Sequence, residues 1–286
     1  PDPLPIVSRC MWGSGGCRSL FAVSELVVEQ IGAPMGAKVL GLDIRDVDDT
    51  TFSQLEAMFL RYHVLVFPQQ DLTPEDHKAF ARRWGELMPF PYGGLSEHPE
   101  IIVLQNRGKV QDVNQHWHSD MTYETCPPKL TMLYCLEAPD LGGETAFANQ
   151  HLAFTELSEG LKTTLAEISA LHTAEDLAAL YGADPQTAPR AEHPVIRSHD
   201  QTGNEALYVC GAFTRRFANW TRSESGPLLK FLFEHSTRPE FQVRHQWSPG
   251  DLVMWDNRSV LHFAVHDHGE KQRLIHRLQV LGPAPV

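Results

Sequence analysis

His116-Trp117-His118-Ser119-Asp120 places an imidazole and a carboxylate one residue apart, and Trp255-Asp256-Asn257-Arg258-Ser259-Val260-Leu261-His262 offers another imidazole further along the chain. In a β-strand, side chains at i and i+2 point to the same face, so an extended His118-Ser119-Asp120 makes its two metal-binding groups converge. Two histidines and one carboxylate form the facial triad that holds non-haem Fe(II) and leaves coordination positions open. A bare H-x-D is weak, because surface turns and hydrogen-bonded core pairs produce the same tripeptide.

Beyond His262, the run Gln272-Arg-Leu-Ile-His-Arg-Leu-Gln-Val-Leu-Gly282 reads as a strand with Arg273, Ile275 and Arg277 on one face. Two arginines on an otherwise apolar strand must face water or an anion, since a buried guanidinium without a partner is costly. A carboxylate matched to the guanidinium fork gives short, bidentate hydrogen bonds.

Upstream, Val27–Ile31 and Ala37–Asp43 read as short strands and Val64–Phe67 as a buried one. Phe52–Tyr62 has helical spacing, with Leu55, Met58, Phe59 and Tyr62 on one face. Thr73 caps a second helix that has Pro74 at its first position and ends near Gly85. Ile101–Leu104, the H-x-D segment, Leu130–Leu136 and Glu144–Phe147 are expected strands, and residues 150–170 an expected helix. Asp176–His193, rich in Pro and small residues, is expected to be a mobile loop beside the site. Strands at Leu207–Cys210, Phe241–Trp247, Leu252–Trp255 and Leu274–Leu281, with a helix at Leu228–His235, complete the pattern. Many short strands with a few helices predict a mainly β fold, a double-sheet jelly roll with flanking helices.

The chain has 286 residues, 42% hydrophobic and 21% charged, with net charge −12. These values suit a globular protein with a large core and speak against nucleic acid or an anionic membrane as partner. An anionic substrate must therefore be drawn by a local cationic site, for which Arg273 and Arg277 are the candidates. Cys10, Cys17, Cys126, Cys135 and Cys210 are scattered and odd in number, which argues against a disulfide framework or zinc cluster and for a cytoplasmic location. No apolar stretch is long enough to span a membrane. Residues 1–24, broken by Pro and Gly and lacking the apolar core of a signal peptide, are expected to form a flexible N-terminal extension, and residues 25–286 a single domain.

The order His118-x-Asp120, Gly142-Gly143-Glu144-Thr145, Trp255-Asp256-Asn257-Arg258, His262, Arg273 and Arg277 resembles the Fe(II)/2-oxoglutarate dioxygenases of the taurine dioxygenase (TauD/TfdA) family, from about Val27 to Gly282. The resemblance implies a cupin-like double-stranded β-helix, with Fe(II), 2-oxoglutarate and O2 as cofactor and cosubstrates. It implies His118, Asp120 and His262 as metal ligands, and Arg273 and Thr145 as the clamp on the distal carboxylate of 2-oxoglutarate. Arg277 and Asn114 match residues with which sulfonate-binding members hold substrate. At the position of a substrate-binding histidine in taurine dioxygenases this chain has Phe90. With Met121 and Tyr123, it suggests a more apolar pocket for a larger sulfonate, an alkyl sulfate ester or an aryloxy acid. A homo-oligomer is expected from the same resemblance. Thr145 also reads as an ordinary strand residue, His116 as a competing ligand or a structural residue, and His266-Asp267-His268 as a solvated turn. Two other readings of the triad are a metal- and 2-oxoglutarate-binding sensor that oxidises nothing and a zinc hydrolase using a metal-bound water.

Overall fold

The computed structural model describes residues 20–23, 26–89, 94–106 and 116–286. Its first part runs β1 (Leu20–Val23), β2 (Leu26–Gln30), β3 (Ala37–Leu40), α1 (Asp49–Tyr62), β4 (Val64–Phe67), α2 (Pro74–Trp84) and β5 (Ile102–Asn106). Strands β6 (Leu130–Glu137) and β7 (Thr145–Asn149) lead into α3 (Gln150–Thr155), α4 (Glu159–Ala166), β8 (Ser169–Thr173), α5 (Glu175–Leu180) and β9 (Arg190–Pro194). Next come β10 (Ile196–Ser198), β11 (Glu205–Leu207), β12 (Thr214–Phe217) and α6 (Arg222–Ser236), then β13 (Gln242–His245), β14 (Leu252–Asp256), β15 (Val260–Ala264) and β16 (Arg273–Val280).

An eight-stranded sheet has the order β1-β2-β3-β4-β14-β6-β16-β5, and a three-stranded sheet the order β13-β7-β15. Alternation along the strands of the large sheet sorts their side chains into two layers. Leu65, Phe67, Leu130, Met132, Leu252, Met254, Leu278 and Val280 point one way, onto Leu55, Phe59, Phe80 and Trp84 of α1 and α2. Val64, Val66, Leu133, Cys135, Val253, Trp255 and Ile275 point the other way and meet Phe147, Val243 and Val260 of the small sheet. Two sheets packed face to face with helices outside one of them make the double-stranded β-helix. Burying side chains such as Phe67 or Trp255 stabilises the fold by roughly 1.5–3 kcal/mol each, and truncating Phe67 to alanine costs about 3–5 kcal/mol.

The helices form where their ends are satisfied. Asp48 accepts from Thr51 N at the start of α1, and Thr73 and Asp76 exchange hydrogen bonds in a capping box at α2. Between β7 and β13 the chain builds an inserted layer, a β12-β8-β9 sheet and a β10-β11 pair packed by Leu165, Phe217, Leu229 and Leu232.

Several elements differ from expectation. Residues 150–170 form two helices because Ser158 starts α4 afresh by accepting from Leu161 N. Helix α6 begins at Arg222, ahead of the expected Leu228, because a Thr221/Glu224 capping box nucleates it, and it runs on through Pro227, which removes one backbone donor from the helix. Asp176–His193 is structured as the rest of α5, a 3-10 turn at Pro185–Thr187 and most of β9, rather than an open loop. The expected strand at Leu207–Cys210 is displaced to Glu205–Leu207. Leu20–Val23, within the expected N-terminal extension, pair with β2 as β1. Among the described residues no helix is long and apolar enough to cross a membrane.

Candidate active site

His118 lies on the free edge of β15. Its N–H donates to His262 O at 3.0 Å and its carbonyl accepts from His262 N at 2.7 Å. Such an exchanged pair sets two residues directly opposite each other, with side chains on one face, and the two rings are 4.0 Å apart. The expected strand through Asp120 is not formed. Extended pairing stops at this bridge and the chain turns at once, with Met121 at φ 49 and Glu124 N donating to Met121 O at 2.9 Å. Asp120 stands just before this turn, with its carboxylate on the side of the two histidines. Asp120 Oδ1 is 3.6 Å from His118 Nε2 and 3.7 Å from His262 Nε2. All three residues are buried, and among the described residues this is the only group of three such side chains placed to share an ion.

The donors suit a divalent metal. His118 Nδ1 donates to His116 O at 2.7 Å, which leaves Nε2 its lone pair. Burial, reinforced by His118, pushes His262 down to about 3, so its ring is neutral at neutral pH. Burial opposes ionisation of Asp120, yet His262, Arg277 and His118, with a hydrogen bond from Thr131, hold its carboxyl at about 2. Two imidazoles and one carboxylate are the donor set for Fe(II).

The hairpin carrying His262 is locked at its tip. Asp256 accepts from Arg258 Nε at 2.8 Å, Arg258 Nη2 at 2.7 Å and His199 Nε2 at 2.9 Å, all buried. Trp255 Nε1 donates to Asn257 Oδ1 at 2.9 Å, and the Trp255 ring lies 4.6 Å from that of His262.

Beside the triad, Thr145, His262, Arg273 and Arg277 line a cavity together with Leu104, Leu133, Trp255 and Ala264. Arg273 is 5% exposed, and among the described residues no carboxylate pairs with it. Its Nε has no hydrogen-bond partner, and burial pulls the guanidinium down to about 10, still charged at neutral pH. A buried cation that lacks a counter-ion fits an incoming carboxylate. Thr145 Oγ1 accepts from Trp247 Nε1 at 3.0 Å and from Arg273 Nη2 at 3.3 Å. With both lone pairs used, its proton is left to donate. Arg277 Nη1 lies 3.9 Å from Asp120 Oδ1, between the cavity and the triad.

The structure thus brings together His118, Asp120, His262, Thr145, Arg273 and Arg277. Met121 is half-buried in the turn after Asp120, and Tyr123 packs edge-on against Phe213 at 5.0 Å, whose ring in turn meets His118 at 6.0 Å. Phe90 and Asn114 lie outside the described residues. The His116 side chain is exposed and its carbonyl orients His118. Asp267 accepts from Gly143 N at 2.8 Å, tying the 266–268 turn to the paired glycines before β7, both at positive φ. Sequence reasoning missed Trp247. Its one signal was an indole N–H, which requires an acceptor when buried.

Residues 27–279 match the family model described as taurine catabolism dioxygenase TauD, TfdA family. The chain belongs to this family. It is a dioxygenase of the 2-oxoglutarate-dependent class, and His118, Asp120 and His262 are placed so that they could hold a metal ion. An alpha-ketoglutarate-dependent sulfate ester dioxygenase of Pseudomonas putida is 32% identical over 92% of this chain and 91% of its own length. An alkylsulfatase of Acinetobacter baylyi is 31% identical over 90% and 86%. The crystal structure of a taurine dioxygenase from Burkholderia xenovorans superimposes with a TM-score of 0.81 at 32% identity, covering 91% of this chain and 92% of that one.

Proposed function

We propose that the protein hydroxylates a small organic anion, an alkyl sulfate ester in the first instance, with His118, Asp120 and His262 holding Fe(II) and Arg273 and Thr145 holding 2-oxoglutarate. The observation that carries this reading is the buried, carboxylate-free Arg273 beside a His-Asp-His triad. Sulfonates and aryloxy acids belong to the same substrate class. The sulfate ester is favoured by the names of two relatives that match nine-tenths of the chain.

When bound, iron, 2-oxoglutarate and O2 supply hydroxylation of a C–H bond, with succinate and CO2 as co-products. The protein's own groups bind, orient and exclude water. Arg273 offers its fork to the distal carboxylate and Thr145 donates its hydroxyl proton to the same group. Burial of both strengthens each interaction. Arg277 draws the anionic head of the substrate to the edge of the triad, while Met121 and Tyr123 contribute apolar surface to its alkyl part. A sulfate ester hydroxylated at the carbon bearing the ester oxygen breaks its C–O bond, releasing the aldehyde, inorganic sulfate and a proton. Free Cys126, Cys135 and Cys210 support a reducing, cytoplasmic setting.

The test supplies Fe(II), 2-oxoglutarate and O2 with a panel of alkyl sulfates, alkanesulfonates and aryloxy acids, and measures succinate and sulfate. The expected result is equimolar succinate and sulfate from an alkyl sulfate, abolished together with Fe(II) binding in His262→Ala. Succinate at background across the panel would refute oxidation, and sulfate release with zinc and without O2 would favour hydrolysis.

A further inference from the structure

Thr131 stands on the inward face of β6, directly across from Gln279 of β16. It is fully buried, and its Oγ1 lies 2.6 Å from Asp120 Oδ2, 2.8 Å from Asn257 Nδ2 and 3.2 Å from Gln279 Nε2. Because Trp255 Nε1 donates to Asn257 Oδ1, the Asn257 amide must present its NH2 group to Thr131. A threonine hydroxyl has two lone pairs and one proton, and an amide NH2 only donates. The two amides therefore take both lone pairs, and the proton is directed to Asp120 Oδ2. Only Oδ1 then faces His118 and His262.

We propose that Thr131, oriented by Asn257 and Gln279, is a positioning residue that confines Asp120 to a single metal-facing oxygen. A carboxylate free to swing would offer both oxygens and take a position that the cosubstrates require. The inference rests on the Fe(II)-dioxygenase reading and adds the group that sets the carboxylate's binding mode.

The experiment titrates Fe(II) and, as a spectroscopic probe, Co(II) anaerobically into the parent protein, Thr131→Val and Thr131→Ser. Melting of each metal-free protein is recorded alongside. The expected result is Fe(II) affinity lowered about 10- to 100-fold in Thr131→Val, the range for loss of a group that orients a metal ligand. The Co(II) visible spectrum changes in that variant, and Thr131→Ser, which keeps the hydroxyl, restores both. Parent-like affinity and spectrum in Thr131→Val would overturn the proposal. So would a serine variant as weak as the valine one, because the lost methyl and not the hydroxyl would then be responsible. Thr131→Val leaves two buried amides without an acceptor, so Gln279→Leu serves if that variant does not fold: weakened metal binding with parent-like melting supports the proposal, and parent-like binding refutes it. Absence of Fe(II) binding in the parent would instead refute the dioxygenase reading itself.

Discussion

Replacing Arg273 by methionine separates what the guanidinium does for the cosubstrate from what it does to the fold. Burial pulls its proton affinity down to about 10. Both folded and unfolded chains are protonated well below pH 10, so the full penalty of holding the buried charge is present at neutral pH, on the order of 3 kcal/mol. Against this stand a long hydrogen bond to Thr145 at 3.3 Å and the ring of Trp247 at 5.4 Å, together worth roughly 1–2 kcal/mol. Arg273→Met therefore makes the ligand-free protein more stable, by roughly 1 kcal/mol or about 2–4 °C in Tm. In the ternary complex the balance reverses. Losing one partner of a buried, hydrogen-bonded charge pair costs about 2–5 kcal/mol, which weakens 2-oxoglutarate binding roughly 30- to 4000-fold. The assay is thermal unfolding of metal-loaded protein, under argon, across a 2-oxoglutarate titration. A variant that melts well below the parent when free of ligand, yet binds 2-oxoglutarate normally, would show that Arg273 is a structural cation and would remove the basis for the proposed clamp.

Trp247→Phe removes one of the two donors that orient the Thr145 hydroxyl, and is expected to weaken 2-oxoglutarate binding by about 0.5–1.5 kcal/mol, roughly two- to twelve-fold. Fe(II) affinity should stay at the parent value, so an equal loss for metal and cosubstrate, measured by anaerobic titration, would contradict the assignment. His77, buried on α2 with both ring nitrogens unpartnered, has its proton affinity pushed from 6.5 to about 3, first by burial and then by His276. Between those values the unfolded chain takes up a proton that the native state excludes, so stability falls as pH falls, by on the order of 4 kcal/mol near pH 3. His77→Leu should flatten the dependence of Tm on pH below 6.5, and parallel curves for the two proteins would show that the ring is not responsible.

Much of the site was legible because its chemistry needs rare residue types at fixed places. His118, Asp120, His262 and the two arginines stand out against apolar neighbours, and the inward row Arg273-Ile275-Arg277 follows from the period of a strand. Helix α1 was legible for the same kind of reason, since Leu55, Met58, Phe59 and Tyr62 share one face. The route to the site was less so. No residue type announces that Met121 takes a left-handed conformation, or that His118 bridges to His262, far apart in sequence. The strands of the inserted layer are short and pair with distant partners, so Asp176–His193 looked structureless. Thr131 was invisible because its role depends on the register between β6 and β16, which places it opposite Gln279 and beneath Asp120.

The two histidines proposed to hold the metal also exchange main-chain hydrogen bonds, so the pairing that aligns them does not depend on their imidazoles. An ion arriving at this centre finds two of its three ligands already aligned and need not organise the chain around itself. Other side chains could stand at positions 118 and 262 while the same edge of the small sheet stays closed. A descendant that had lost its iron would therefore keep the outline of the enzyme, and only the atoms at the centre would reveal that the chemistry had gone.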